Sequence, residues 1–261
     1  MVQVGAGAMH TVAVTDDGRA MAWGLGTCGQ LGTLAQDVTI DGFSSVRYVE
    51  TQPTPMELPS SVFIVTVGCG TLHTALVDRR GSVFTCGAGR MGQLRHGNAR
   101  DVFLPQMIVL PENVVIVSVK AGYEHTVFLA TNGAIMTCGR GTLGALGHGN
   151  FDTCRVPVYV AALRGVRISE IAAGGHATMA RTSDGRLYTW GDNNDYVLSR
   201  FRTRAQQMTG AAQAASSISN KCFTTPGLAW ARRTREEPSA AAPIVILTTD
   251  TDPYSVWGAG S

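Results

Sequence analysis

Gly7 to Gly32 reads GAMHTVAVTDDGRAMAWGLGTCGQLG, and close copies of the string recur three times. Gly70 to Arg95 reads GTLHTALVDRRGSVFTCGAGRMGQLR, and Gly122 to Gly147 reads GYEHTVFLATNGAIMTCGRGTLGALG. Gly174 to Ser199 reads GGHATMARTSDGRLYTWGDNNDYVLS. The four align without a gap. His10, His73 and His125 share a column, which Ala177 takes in the fourth copy with His176 one place early. Gly18, Gly81, Gly133 and Gly185 share a second column; Trp23, Cys86, Cys138 and Trp190 share a third. Spacings in the third column are 63, 52 and 52, and a fifth Trp-Gly, at Trp257, follows 67 further on. Self-similarity at this period is the mark of a repeat architecture in which each unit is one supersecondary element.

Each unit reads as strand, tight turn, strand, glycine loop, connecting stretch and a further strand. The turns are Asp17-Gly18, Arg80-Gly81, Asn132-Gly133 and Asp184-Gly185. Asn-Gly or Asp-Gly between apolar runs is a strong hairpin signal. Runs such as TVAVT and TVFLA are nearly continuous in apolar residues, which suits strands covered on both faces. Outside the core string, Pro105 matches Pro157, and apolar runs start at Val62, Val114 and Val166. Sheets repeated at about 50 residues fit a β-propeller with one sheet per blade.

The glycine loops GLGTCG, GAGRMG and GRGTLG also fit G-x-G-x-x-G, the pattern that cradles a dinucleotide pyrophosphate. That reading needs a helix directly after the loop, because the helix N-terminus holds the phosphate. The following stretches, TLAQDVTIDGF, RHGNARDVFLP and HGNFDTCRVP, lack a helical period. Three copies in one chain also argue for a building block. The glycines are read as turn formers, and no cofactor is expected.

The pattern G-x-x-H-T, D-G, then W-G-x-G-x-x-G-Q-L-G resembles the regulator of chromosome condensation repeat family over about residues 2–199. The resemblance implies an all-β fold, a β-propeller of that type. The family's ring has seven blades, so this chain is expected to be incomplete, with about four blades and part of a fifth. The expected organisation is propeller repeats over 1–199, a low-complexity basic insertion over 200–243, and the start of a further repeat over 244–261. The resemblance implies a non-enzymatic protein-interaction module. Its alternative is guanine-nucleotide exchange on a small Ran-like GTPase, the founding member's role. Light sensing within the family relies on clustered tryptophans, and here only Trp23, Trp190, Trp230 and Trp257 exist.

With 261 residues, 44% of them hydrophobic, the chain is long and apolar enough for one large or two ordinary domains, and its 31 glycines and β-branched runs point toward all-β. A net charge of +2 gives no overall pull toward nucleic acid. The six cysteines form no C-x-x-C pair, no apolar run is long enough to span a membrane, and the first strand begins at once. These features read as an intracellular chain with reduced thiols, nuclear or cytoplasmic. His73 with Cys86 and His125 with Cys138 raise the question of zinc. The tryptophans that share the cysteine column make it a core-filling position instead. The histidines, which precede a strand in each unit, are expected to hydrogen-bond the neighbouring loop backbone. Being repetitive, they do not suggest a catalytic site.

Residues 200–243 carry Arg200, Arg202, Arg204, Lys221, Arg232, Arg233 and Arg235 against Glu236 and Glu237. They read either as a solvated, partly disordered insertion or as a basic arm. The arm's partner would be an acidic protein, chromatin, nucleic acid or an import receptor, with Trp230 as an apolar anchor.

Overall fold

In the computed structural model, residues 2–33, 49–193 and 198 are described, together with the backbone of 222–228. The alternating apolar runs form sixteen strands in four antiparallel sheets, each four strands wide. The first sheet holds β1 (Gln3–Ala6), β2 (His10–Val14), β3 (Ala20–Leu25) and β4 (Val49–Pro55). The second holds β5 (Ile64–Cys69), β6 (His73–Asp78), β7 (Val83–Gly87) and β8 (Val102–Met107). The third holds β9 (Ile116–Ala121), β10 (His125–Ala130), β11 (Ile135–Gly139) and β12 (Cys154–Tyr159). The fourth holds β13 (Ile168–Gly174), β14 (Ala177–Thr182), β15 (Leu187–Asp192) and β16 (Cys222–Leu228). Strands pair in chain order within every sheet, and β1, β5, β9 and β13 pack on one another from sheet to sheet. These are the blades of a propeller with their first strands innermost.

The connecting stretch after each glycine loop holds the outermost strand. A proline recurs at one register of that strand: Pro53, Pro105, Pro157 and Pro226. Proline lacks an N–H, so it is tolerated on an edge strand and not in a central one. The same logic moves a boundary. Cys222–Leu228 falls inside the low-complexity stretch 200–243, yet its backbone pairs with β15 from Tyr188↔Leu228 to Asp192↔Cys222. The repeats therefore do not stop at residue 199. Residues 244–261, expected to begin a further repeat, lie outside the described residues.

Among the described residues the core is divided between the blades. Three apolar clusters lie between consecutive blades. Val12, Val14, Ala20 and Ala22 meet Val67, Leu76, Phe84 and Cys86 in the first. Ala75, Val77 and Val83 meet Val119, Phe128 and Met136 in the second. Val127, Leu129 and Ile135 meet Ile171, Ala180 and Trp190 in the third. This is why β6 and β10 are buried at every position: each has a blade on both faces. Half-buried Met179 and Arg181 interrupt the pattern on β14.

The hairpin glycines occupy the bulge position after a type I turn. Gly133 N–H donates to Ala130 O at 2.9 Å, with φ at +82°. The turns also touch the next blade. Ile64, Ile116 and Ile168 donate their amides to the carbonyls of Gly18, Gly81 and Gly133 at 2.9, 3.3 and 3.1 Å. A Cβ on Gly133 would meet Arg167 Cγ at 2.6 Å, whereas one on Gly185, at φ +84°, meets nothing within 4 Å. Gly185→Ala should cost only the left-handed strain, about 1 kcal/mol. Gly133→Ala adds overpacking and should cost about 2 kcal/mol or more. Urea unfolding midpoints of the two variants measure the difference, and equal losses would contradict it.

Candidate protein-interaction site

The G-x-x-His histidines cross the joints between blades. His10 Nε2 lies 2.9 Å from Thr74 Oγ1, His73 Nε2 2.9 Å from Thr126 Oγ1, and His125 Nε2 2.9 Å from Thr178 Oγ1. Each threonine belongs to the following blade and donates its own hydroxyl proton back. The acceptors are the carbonyls of Gln30, Gln93 and Ala145, at 2.7, 2.8 and 2.9 Å. With its proton committed, each threonine oxygen can only accept, so the histidines carry hydrogen on Nε2. Their partner is thus a side chain of the next blade, not the loop backbone expected from the sequence. The backbone enters one bond later.

The third column completes the joint. Trp190 Nε1 donates to Ala145 O at 2.9 Å, sharing that carbonyl with Thr178. Cys86 and Cys138 point their Sγ at the carbonyls of Gln30 and Gln93, 3.8 and 3.6 Å away. Histidine and cysteine of one blade therefore reach in opposite directions, one to the next blade and one to the preceding blade. That geometry separates the pairs His73/Cys86 and His125/Cys138, which share a metal-like spacing. Burial drives both thiols strongly upward in pKa, which keeps them protonated.

The glycine loops serve the same joints. They run as consecutive tight turns, Gly26 to Gly29 to Gly32 and Gly141 to Gly144 to Gly147. A Cβ on Gly29 would lie 2.6 Å from Val102 O, and one on Gly92 would lie 2.5 Å from Arg155 Cα. Both neighbours belong to the outermost strand of the next blade. The close approach of that strand leaves no room for a side chain at these two glycines.

Gly7, Gly70 and Gly122, the first residues of G-x-x-His, leave room for the histidine ring three places on. A Cβ there would sit 2.5–2.6 Å from its Nδ1. What remains of the motif is the pair between glycine and histidine, and this pair varies: Ala8-Met9, Thr71-Leu72, Tyr123-Glu124 and Gly175-His176. The loops lie side by side. Tyr123 N–H donates to Gly175 O at 2.7 Å, and the Tyr123 and His176 rings are 5.0 Å apart. The carbonyls of Met9, Leu72, Glu124 and His176 accept amides of Leu25, Ala88, Arg140 and Asp192 at 2.7, 2.7, 2.8 and 3.0 Å. The backbone is fixed while the side chains differ in exposure: Met9 and Tyr123 are exposed, Leu72 and His176 are half-buried, and Glu124 pairs with Arg140 at 2.6 Å. The repeat alignment contained this row of varying positions, but its significance needed the loops to be adjacent in space. Trp257 and the basic candidates Arg200, Arg202, Arg204, Trp230, Arg232, Arg233 and Arg235 lie outside the described residues.

Two outcomes follow from the joints. Thr126→Val strips His73 of its acceptor and leaves Gln93 O only a weak thiol donor, so it should cost about 1–3 kcal/mol. Thr178→Val should cost less, because Trp190 still donates to Ala145 O; denaturant unfolding of both variants gives the comparison. Burial also lowers the histidine pKa values, to about 4 at His10 and about 3 at His73 and His125. A protonated Nδ1 would be a buried charge with no acceptor among the described residues. The unfolded chain binds these protons near pH 6.5 and the folded chain does not, so stability is whole above 6.5 and drains as pH falls toward 4. Each histidine adds a slope of up to about 1.4 kcal/mol per pH unit in that window. His125→Gln should unfold less steeply with acid than the parent when midpoints at pH 7 and pH 5 are compared.

The profile of the RCC1-like domain matches residues 1–221. The chain is 34% identical over 191 residues to the ultraviolet-B receptor UVR8 of Arabidopsis thaliana, covering 72% of this chain and 40% of the receptor. It is 30% identical over 235 residues to the human E3 ubiquitin-protein ligase HERC2, covering 88% of this chain and 5% of the ligase. Among solved structures, human WBSCR16 superposes with a TM-score of 0.66 at 22% identity, over 86% of this chain and 52% of that one. A chain in the structure of Kap60 bound to yeast RCC1 (Prp20) gives 0.67 at 22% identity, over 90% and 49%. The chain thus spans less than half the length of the curated relatives named here. Among the described residues no helix is long and apolar enough to cross a membrane. Repeat string, four-stranded blades and profile agree, and the chain belongs to the RCC1-like domain family.

Proposed function

We propose that these blades form a non-enzymatic platform that binds a protein partner through the row of G-x-x-His loops. One observation carries the reading. The repeated histidines, cysteines and glycines are used at the joints, whereas the residues between glycine and histidine differ from blade to blade and include the exposed Met9 and Tyr123. A constant frame with variable tips suits recognition, and loops on a rigid scaffold are where binding residues concentrate. Tyr123, its ring tilted 41° against His176, offers with the Glu124–Arg140 pair and exposed Met9 aromatic, charged and apolar contacts. In the same reading, Arg200, Arg202, Arg204, Trp230, Arg232, Arg233 and Arg235 supply a further contact to an acidic partner. Ligase activity belongs to HERC2 as a whole, of which this chain matches 5%. Likeness to the yeast RCC1 complex at 22% identity carries the fold and not nucleotide exchange.

A photo-crosslinking residue at position 9 or 123 should capture a defined protein in cells, and one at Asn132, at the opposite end of the strands, should not. Equal capture from both ends would overturn the face assignment. Fast release of labelled GDP from a Ran-type GTPase at substoichiometric chain would favour exchange over simple binding.

A further inference from the structure

One turn leads from the outermost strand of each blade to the first strand of the next, and it is kept at all three joints. Val62, Val114 and Val166 donate their amides to the carbonyls of Pro59, Pro111 and Leu163 at 2.9, 3.3 and 3.0 Å, and each valine packs on its apolar cluster. The third joint departs from the other two. Leu163 replaces the prolines of its column, so it has an N–H, which donates to Val160 O at 3.0 Å and closes a 3-10 turn over Ala161–Leu163. Leu58 and Leu110 pack on the first two clusters, whereas Ala162 in their column is exposed and Leu163 packs one place later.

Beside this turn lies a cavity of about 380 Å³, a volume typical of small-molecule sites. Buried Ile135, Val160 and Leu163 give it an apolar wall. Its polar side chains present donors. Arg164 and Arg167 line it, and no acidic side chain does. Among the described residues neither guanidinium has an ion pair or a hydrogen-bond acceptor, unlike those of Arg19, Arg140, Arg181 and Arg186. Asn132 uses its Oδ1 to accept the Ala134 N–H at 3.0 Å, which leaves its amide nitrogen with two hydrogens to donate. Tyr159, 43% exposed, adds a ring and a hydroxyl.

The charge belongs to this joint and not to the repeated frame. Ser60 and Glu112 stand in the column of Arg164, and Phe63 and Val115 in that of Arg167. The Arg167 stem is seated on the hairpin turn, its Cγ 2.6 Å from where a Cβ on Gly133 would lie. A phosphate monoester carries about −1.5 to −2 near pH 7 and matches two guanidiniums, whereas a carboxylate balances only one. The planar guanidinium fork also fits phosphate oxygens in pairs. We infer that this cavity, at the end of the strands opposite the G-x-x-His loops, is a binding site for a small phosphate monoester with an apolar or aromatic body. Arg164 and Arg167 hold the phosphate, the Asn132 amide and the Tyr159 hydroxyl donate beside them, and the body lies on Ile135, Val160 and Leu163.

Phenyl phosphate titrated into the full chain by calorimetry at pH 7.5 should bind at one site. It should bind about tenfold more tightly than inorganic phosphate, which lacks the body, and than benzoate, which lacks the second charge. Arg164→Gln and Arg167→Gln should each weaken it about tenfold or more, while Arg90→Gln, at an exposed arginine outside the cavity, should not. Urea midpoints report whether the variants stay folded. Arg164→Gln carries the test if Arg167→Gln loosens the turn, since the Arg164 guanidinium has no partner in the fold to lose. Absence of saturable binding, binding that survives Arg164→Gln, or equal affinity for benzoate or inorganic phosphate overturns the inference. A short phosphotyrosine peptide should bind no more tightly than phenyl phosphate, and tighter binding by the peptide overturns the small-molecule source.

Discussion

One hydroxyl ties each blade to the one before it. The threonine after the histidine column accepts from an imidazole of the preceding blade and donates to a carbonyl of that same blade's glycine loop. Two bonds in opposite senses through one oxygen fix both the distance and the rotation between sheets. Apolar packing alone would tolerate sliding, because it is non-directional. A buried bonded network defines one arrangement, since any displacement leaves polar groups unmatched in a low-dielectric space.

Stability accordingly resides at the interfaces. A four-stranded blade has two apolar faces and little core of its own, so the energy of the array is close to a sum over neighbouring pairs. Variation between joints has local consequences. The joint between the third and fourth blades uses Trp190 and Ala145, where the earlier two use cysteine and glutamine. The indole supplies a full N–H donor where the thiol supplies a weak one. The fourth blade then departs from the pattern on its far side, at Ala177 and Arg181.

The same economy separates frame from message. Groups that would suggest catalysis or metal binding in isolation face partners of fixed kind across the joints. Burial depresses the imidazoles and raises the thiols, which removes both from acid–base or nucleophilic work near neutral pH. What varies stands between glycine and histidine, on loops whose carbonyls are already bonded. Such positions change identity at small cost to the fold, the physical condition for a surface that diversifies its partners.

Much of this was legible in the residues themselves. The ungapped alignment of GAMHTVAVTDDG with its copies yields the blades, the hairpins and the family, because hairpin turns and strand periods are local properties. The match of Pro105 with Pro157 was legible too, whereas Pro53 and Pro226 join that column only through the strand pairing, Pro226 inside a segment whose composition suggests an insertion. Which way a side chain reaches was not legible. His73 and Cys86, 13 apart in the chain, lie on adjacent strands of one sheet yet point to different neighbours, and no spacing rule reports that. Nor could the sequence show that the x-x pairs of distant repeats form one row, or that Arg164 and Arg167 line one cavity with Asn132 and Tyr159. Those facts depend on how one sheet stacks on the next, and stacking is decided by contacts between residues some fifty positions apart.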